Sequence, residues 1–153
     1  MSLSMILVPM AVAVCVSSAE TILAVKEKCS NPRKKDIDDI ETRFADADIL
    51  HSTLKEHGVN TIIHNKNNVE AIFEAGRITY HKNPNDENFK MRISNVTNID
   101  GLICDLDLIE NEYDLNLQSY TYNSVINNLP ENMSVENEEV LEDDSILITV
   151  NVD

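Results

Sequence analysis

The chain has no tryptophan and only three glycines among its 153 residues. This scarcity of glycine argues against the glycine-rich loops that hold phosphate groups, and neither GxGxxG nor GxxxxGK followed by Ser or Thr occurs. Aromatic residues make up 5% of the sequence, so the core must be built mainly from isoleucine, valine and leucine. The length fits one compact domain with an additional segment.

Motifs for metal binding and nucleophilic catalysis are also missing. The cysteines Cys15, Cys29 and Cys104 form no CxxC pair and no regular framework, which favours reduced thiols over disulfides. HExxH is absent, and the two histidines of one predicted helix, His51 and His57, have the wrong separation for a shared metal ion. GxSxG is absent as well. The sequence therefore predicts no catalytic residue, no metal site and no cofactor.

Charge is distributed very unevenly along the chain. Residues 1–19 carry no charged side chain. A basic collar follows shortly after this apolar segment, formed by Lys26, Lys28, Arg33, Lys34 and Lys35. Residues 36–153 hold 25 acidic and 7 basic residues, a balance of −18. An apolar leader and a basic collar thus precede a strongly acidic body.

We interpret residues 1–25 as an N-terminal membrane anchor, because they approach the roughly 20 apolar residues that cross a bilayer. Basic residues tend to stay on the cytoplasmic side, which places the N-terminus outside and the acidic body in the cytoplasm. Residues 26–39 are then a linker, and residues 40–153 a domain that folds without the leader. Two alternatives stay open: a signal peptide cleaved near Ser17–Ala19, and a core strand or helix of a soluble cytoplasmic protein.

The polar and apolar pattern of the body predicts an α+β fold. Asp46 can cap a helix that ends at Gly58, and Leu115–Leu129 has the apolar stripe of a second helix. Strands are predicted at Ile40–Phe44, Val59–His64, Val69–Glu74, Arg77–Lys82, Phe89–Ser94, Leu102–Leu106, Val135–Leu141 and Ile146–Val152. The order β-α-β-(β)n-α-β-β implies two helices packed on one face of a mainly antiparallel sheet.

Acidic clusters are the candidate functional surface of the body. The carboxylates of residues 100–114 do not match a Ca²⁺-binding EF-hand loop, which needs a central glycine, and a solvated face is the favoured interpretation. A body with this much negative charge repels nucleic acid and attracts basic protein surfaces. We expect a basic partner protein to contact Asp105, Asp107, Glu110, Glu112, Asp114, Glu138, Glu139, Glu142, Asp143 and Asp144, and we expect no direct nucleic-acid ligand and no small-molecule substrate.

Several short segments carry recognisable patterns. Thr42–Phe44 reads as the end of a strand, and Asp48–Gly58 as a helix with paired leucines and a final glycine. Gln118–Tyr120, Val135–Glu139 and Glu142–Ile146 follow as a helix, a strand and a turn. Together these segments, within about residues 40–152, resemble the Ycf35-like family (DUF1257), whose corresponding motifs are Q-R-Y, V-V-E-E and E-D-G-S-I.

The resemblance has two departures, since Ser119 stands where the family usually has arginine and Asp144 where it usually has glycine. It leaves residues 1–39 uncovered. It implies the α+β fold and a bacterial or phage origin, and it implies no chemistry.

These observations predict a protein of non-enzymatic function. The first hypothesis is a membrane-anchored interaction module that recruits a partner through its acidic cytoplasmic body. The alternative is a soluble acidic decoy that imitates nucleic acid and occupies a basic site on another protein.

Overall fold

The computed structural model describes residues 1–7, 21–28, 36–142 and 144–152. The described elements are β1 (Ser2–Leu7), α1 (residues 21–28), β2 (Ile37–Glu41), α2 (Ala47–Glu56), β3 (Asn60–Asn65), β4 (Asn68–Phe73), β5 (Gly76–His81), β6 (Lys90–Ser94), α3 (Ile99–Asn127), β7 (Met133–Val140) and β8 (Ile146–Val152). The predicted α+β class with mainly antiparallel strands is confirmed.

The described part of the chain forms two compact units, each with its own antiparallel sheet. The three-stranded unit comprises the described residues of Met1–Val14 and Asp114–Asp153, and its strand order is β1-β8-β7. The five-stranded unit comprises those of Cys15–Tyr113, in the order β2-β6-β5-β4-β3. The sequence predicted a single sheet, whereas the hairpin β7-β8 takes its third strand from the N-terminal leader.

The core of the five-stranded unit lies on one face of its sheet. Alternate residues of β4 and β5, such as Val69, Ala71 and Ile78, are fully buried, as expected for a sheet with one covered face. Helix α2 packs against β3 and β4. Its apolar face and that of the first half of α3 are buried through Leu50, Leu54, Leu102, Leu106, Ile109 and Tyr113.

The predicted capping of α2 is confirmed. One carboxylate oxygen of Asp46 accepts hydrogen bonds from the N–H groups of Asp48 at 2.8 Å and Ile49 at 3.0 Å. These bonds satisfy donors that have no partner inside the helix. At the other end Gly58 has φ +76°, the left-handed conformation that ends helices and favours glycine.

The predicted strand Leu102–Leu106 is wrong, because these residues belong to α3, which begins at Ile99. The side-chain oxygen of Asn98 accepts a hydrogen bond from Gly101 N–H at 3.1 Å and caps the first turn. The local apolar run also fits a strand. Over a longer window, however, the buried positions of α3 recur every three or four residues, which is the helical period.

Parts of the predicted anchor and linker have regular structure. Residues 2–7 form β1 and pair with β8 in register from Ser2 opposite Asn151 to Leu7 opposite Ile146. Residues 21–28 are helical, and β2 already begins at Ile37. In that helix Thr21 and Val25 are buried. A body that lacks residues 1–25 would therefore lose strand β1 and these two buried side chains.

The remaining leader and linker residues, 8–20 and 29–35, lie outside the described residues. Within the described ranges no helix is long and apolar enough to cross a membrane. The alternative that the leader contributes a strand to the fold fits residues 2–7.

The pairing of β1 yields a testable asymmetry. Met1 and Val152 exchange two backbone hydrogen bonds, of 3.2 and 2.9 Å. Antiparallel pairs alternate between bonded and non-bonded, so Met5 exchanges bonds with Ile148 while the N–H of Ser4 points away from β8.

We expect Met5→Pro to lower the free energy of unfolding by about 1 to 3 kcal/mol, because it leaves a carbonyl of the fully buried Ile148 without its donor. Ser4→Pro should cost less than about 1 kcal/mol, since an edge strand tolerates proline where the N–H faces outward. Urea denaturation of both variants measures the difference. Equal losses would contradict the register of β1.

Candidate functional site

The basic residues are confined to the first 92 positions, so the last part of the acidic body has no basic side chain at all. All 12 lysine and arginine residues lie at or before Arg92, and residues 93–153 hold 14 acidic residues with no lysine, arginine or histidine. From Asp114 onward, the segment that belongs to the three-stranded unit, there are nine carboxylates. No basic side chain of that segment can neutralise them.

The three-stranded unit has a groove between α3 and the hairpin β7-β8. Its volume is about 350 Å³, toward the lower end of the roughly 300 to 1,000 Å³ of ligand pockets. We call it the α3–β7 groove, and its lining residues are Gln118, Ser119, Tyr122, Asn123, Glu138, Glu139, Val140 and Ile146. Two of the predicted acidic residues, the sequence neighbours Glu138 and Glu139, line this groove.

Neutral donors position the polar groups of the groove. The Tyr122 hydroxyl donates a hydrogen bond of 2.6 Å to a carboxylate oxygen of Glu138. This hydrogen bond raises the pKa of Tyr122, because only the protonated hydroxyl can donate to the carboxylate. The bond fixes the position of the Glu138 carboxylate beside α3. In the sequence, Tyr122 belongs to the apolar stripe of the predicted helix Leu115–Leu129, and no sequence pattern pairs it with Glu138.

A second side-chain bond joins α3 to the turn of the hairpin. The side-chain amide of Gln118 donates to the carbonyl oxygen of Asp144 at 3.0 Å. The turn is closed by Leu141 N–H to Ser145 O at 2.8 Å and by Asp144 N–H to Leu141 O at 3.0 Å. Asp144 has φ +61°, in the left-handed region that favours glycine.

Two predicted surface residues, Glu110 and Asp114, are buried at 1% and 5% exposure, which corrects their assignment to the acidic surface. The reason is the helical course of α3, which turns Glu110 toward the interior with Ile109 and Tyr113. A charge there requires partners. Arg43 lies beside Glu110, with Nε 4.0 Å from its carboxylate and a guanidinium nitrogen donating to its backbone carbonyl oxygen at 2.7 Å.

The other predicted acidic residues are divided between the two units. In the five-stranded unit, His57 lies beside Asp105 at 4.0 Å and Glu112 at 3.6 Å, while Asp107 is exposed. In the three-stranded unit Glu142 and Asp144 are exposed near the turn, and Asp143 lies outside the described residues. The predicted acidic residues therefore belong to two units, and of those that the structure describes, Glu138 and Glu139 line the groove.

No other chemical centre emerges from the described ranges. They contain no group of three or more His, Cys, Asp or Glu residues that could hold a metal ion. Cys104 is an exposed free thiol, and Cys15 and Cys29 lie outside these ranges.

Two tyrosines pack edge-on against Phe44 in the centre of the five-stranded unit, and their hydroxyls differ sharply. The ring centroids of Tyr80 and Tyr113 lie 5.6 and 4.8 Å from that of Phe44. The Tyr113 hydroxyl accepts bonds from the N–H groups of Ala45 at 3.0 Å and Asp46 at 3.1 Å. The buried Tyr80 hydroxyl has no hydrogen-bond partner among the described residues, and its pKa is raised by burial and by the negative charge of Glu110.

We expect Tyr113→Phe to lower the free energy of unfolding by about 1 to 3 kcal/mol, because it strips two backbone donors of their acceptor at the start of α2. The matched change Tyr80→Phe should be neutral or stabilise by about 1 kcal/mol, since it removes a buried hydroxyl that makes no bond. Chemical denaturation of the two variants compares them. A larger loss for Tyr80→Phe would refute the assignment of bonds.

Asp144→Gly should raise the free energy of unfolding by about 0.5 to 1 kcal/mol, because glycine adopts the left-handed conformation without steric cost. The bond from Gln118 goes to the backbone and survives the change. Asp144→Asn serves as the control, since it removes the same charge and keeps the side-chain bulk. Thermal or urea unfolding measures the stability of both variants. If Asp144→Asn stabilises the protein as much as Asp144→Gly does, the gain comes from the removal of charge repulsion and not from the backbone conformation.

Neither a family model, nor a curated protein, nor a solved structure matches this chain. Function is therefore inferred from the geometry and charge of the α3–β7 groove itself.

Proposed function

We propose that this protein is a non-enzymatic interaction module that binds a basic segment of a partner protein in the α3–β7 groove. The observation that carries the proposal is the pair Glu138 and Glu139, both exposed, in a stretch of chain with no basic side chain. Carboxylates in a stretch of chain without basic side chains attract cationic side chains and accelerate their encounter. The groove adds a defined place for such a side chain.

The exposed apolar surface beside these carboxylates supports a protein partner over a simple counter-ion. Val140 and Tyr122 line the groove, and Val140 is 69% exposed. Interfaces combine apolar contact area with aromatic residues and a polar rim. A basic segment with neighbouring apolar residues matches this mixture, whereas a free inorganic cation would use none of the apolar area.

The resemblance to the Ycf35-like family belongs to this proposal. Two segments that carry it, the helix motif at Gln118 and the turn motif at Asp144, are joined by the 3.0 Å hydrogen bond between them. Asp144 has a positive φ at the position where the family usually has glycine, so the turn has the conformation that the family's residue favours. We propose that the chain is a divergent relative of that family.

The acidic decoy is the second candidate function, and the same charge asymmetry favours it. Positions 93–153 hold fourteen carboxylates and no basic residue, and the exposed ones among them would imitate the charge of a nucleic-acid backbone. A decoy would displace duplex DNA from the protein that it inhibits. A groove-binding module would leave that complex intact.

Binding of a labelled arginine-rich peptide to the full chain, followed by fluorescence anisotropy, tests the primary proposal. We expect the double change Glu138→Gln and Glu139→Gln to weaken binding about tenfold, because it removes two neighbouring carboxylates of the strand that lines the groove. The matched control is Glu74→Gln with Glu87→Gln, two exposed carboxylates of the five-stranded unit. This control removes the same net charge and should change affinity less than about twofold.

Equal effects of the two double variants would show attraction to net charge only and would refute a groove site. Displacement of a labelled DNA duplex from a nuclease by the full chain, equally well with the Glu138 and Glu139 variants, would favour the decoy.

A further inference from the structure

Among the described strands, β7 pairs with a neighbour on one of its two sides. It bonds to β8, and the order β1-β8-β7 places it at the end of its sheet. An edge strand presents unpaired backbone N–H and C=O groups that can receive another strand. The groove lies directly beside this edge, since Glu138, Glu139 and Val140 belong to both.

The register identifies which backbone groups point outward. Leu141 N–H bonds to Ser145 O, so Glu139 and Leu147 form the next bonded pair, and Glu138 and Val140 are non-bonded positions. The β1 ladder gives the same answer independently. Ile148, which lies opposite Glu138, directs its backbone groups toward Met5 of β1. The N–H and C=O groups of Glu138 and Val140 therefore face away from β8.

The same two residues also define a side-chain face. Positions 138 and 140 share one side of β7 because side chains alternate along a strand. On that side the Glu138 carboxylate is held by the Tyr122 hydroxyl at 2.6 Å. Main-chain groups for pairing and a fixed carboxylate for a cation thus occur at one point of the edge.

We propose that the α3–β7 groove binds its partner by strand addition: an extended basic segment pairs with β7 at Glu138 and Val140 and places an arginine or lysine side chain beside the Glu138 carboxylate. This inference rests on the proposed function and specifies how the basic segment is bound. Main-chain hydrogen bonds supply affinity in such complexes, and side-chain pockets supply specificity.

The charge of β7 selects this occupant over a second copy of the chain. Glu136, Glu138 and Glu139 are all exposed on the strand. Two β7 edges brought together would juxtapose like charges, which destabilises cross-strand pairs. Charged side chains on an edge are also a common protection against pairing between identical chains. A basic strand turns the same carboxylates into favourable contacts.

The test uses the full chain and a short labelled peptide in which valine alternates with arginine. Two further peptides are N-methylated, one at the arginine nitrogens and the other at the valine nitrogens, which removes donors without changing charge. We expect at least one methylated peptide to bind about tenfold more weakly than the parent. Glu138→Gln should weaken the parent about fivefold, and the matched Glu131→Gln, which changes an exposed carboxylate outside the groove, less than about twofold.

Three outcomes would count against strand addition, and they are distinguishable. If all three basic peptides bind equally, strand addition is overturned while the acidic interaction module stands. If a matched valine–glutamate peptide binds as well as the valine–arginine peptide, the proposed function itself fails. If gel filtration shows a dimer that Val140→Lys dissolves, the edge pairs with a second copy and the basic segment is not its occupant.

Discussion

The dominant constraint on the three-stranded unit is that its C-terminal part, from Asp114 onward, cannot neutralise its own carboxylates with basic side chains. The unit is held instead by apolar burial and by neutral donors. Ile148 and Val150 of the central strand are almost fully buried. Ser2 donates to a Glu136 carboxylate oxygen at 2.9 Å, as Tyr122 does to that of Glu138. Such bonds orient a carboxylate and leave its charge in place, so the charge stays available to an outside cation.

The five-stranded unit handles charge in the opposite way. Arg77 pairs with Glu70 at 2.9 Å, and Lys90 with Glu41 at 3.3 Å, across neighbouring strands. Pairs of this kind add little to stability, typically below about 1 kcal/mol when exposed. Their consequence here is that Arg77 and Lys90 each have a carboxylate of the neighbouring strand within ion-pair distance. The contrast between the units is the physical reason to look for a basic partner at β7.

Local rules predicted the elements whose causes are local, and they failed where the cause lies far along the chain. Asp46 caps α2 and Gly58 ends it through neighbouring atoms alone. The burial of Glu110, in contrast, depends on Arg43, which is 67 positions away. β1 pairs with a strand at the other end of the sequence. The charge pattern of the sequence was enough to predict Glu138 as a surface residue. Its hydrogen bond to Tyr122 depends on how α3 and β7 are placed relative to each other, which the sequence pattern does not give.

The carboxylates of β7 have two effects that cannot be separated by substitution. They weaken pairing with like-charged strands, and they strengthen pairing with basic ones, through the same electrostatic interaction. Raising the salt concentration screens both effects over a Debye length of about 8 to 10 Å. The backbone hydrogen bonds of an added strand are much less screened. For the proposed strand addition, salt therefore changes which strand the edge accepts more than whether it can accept one, and we expect selectivity for a basic segment to be highest at low ionic strength.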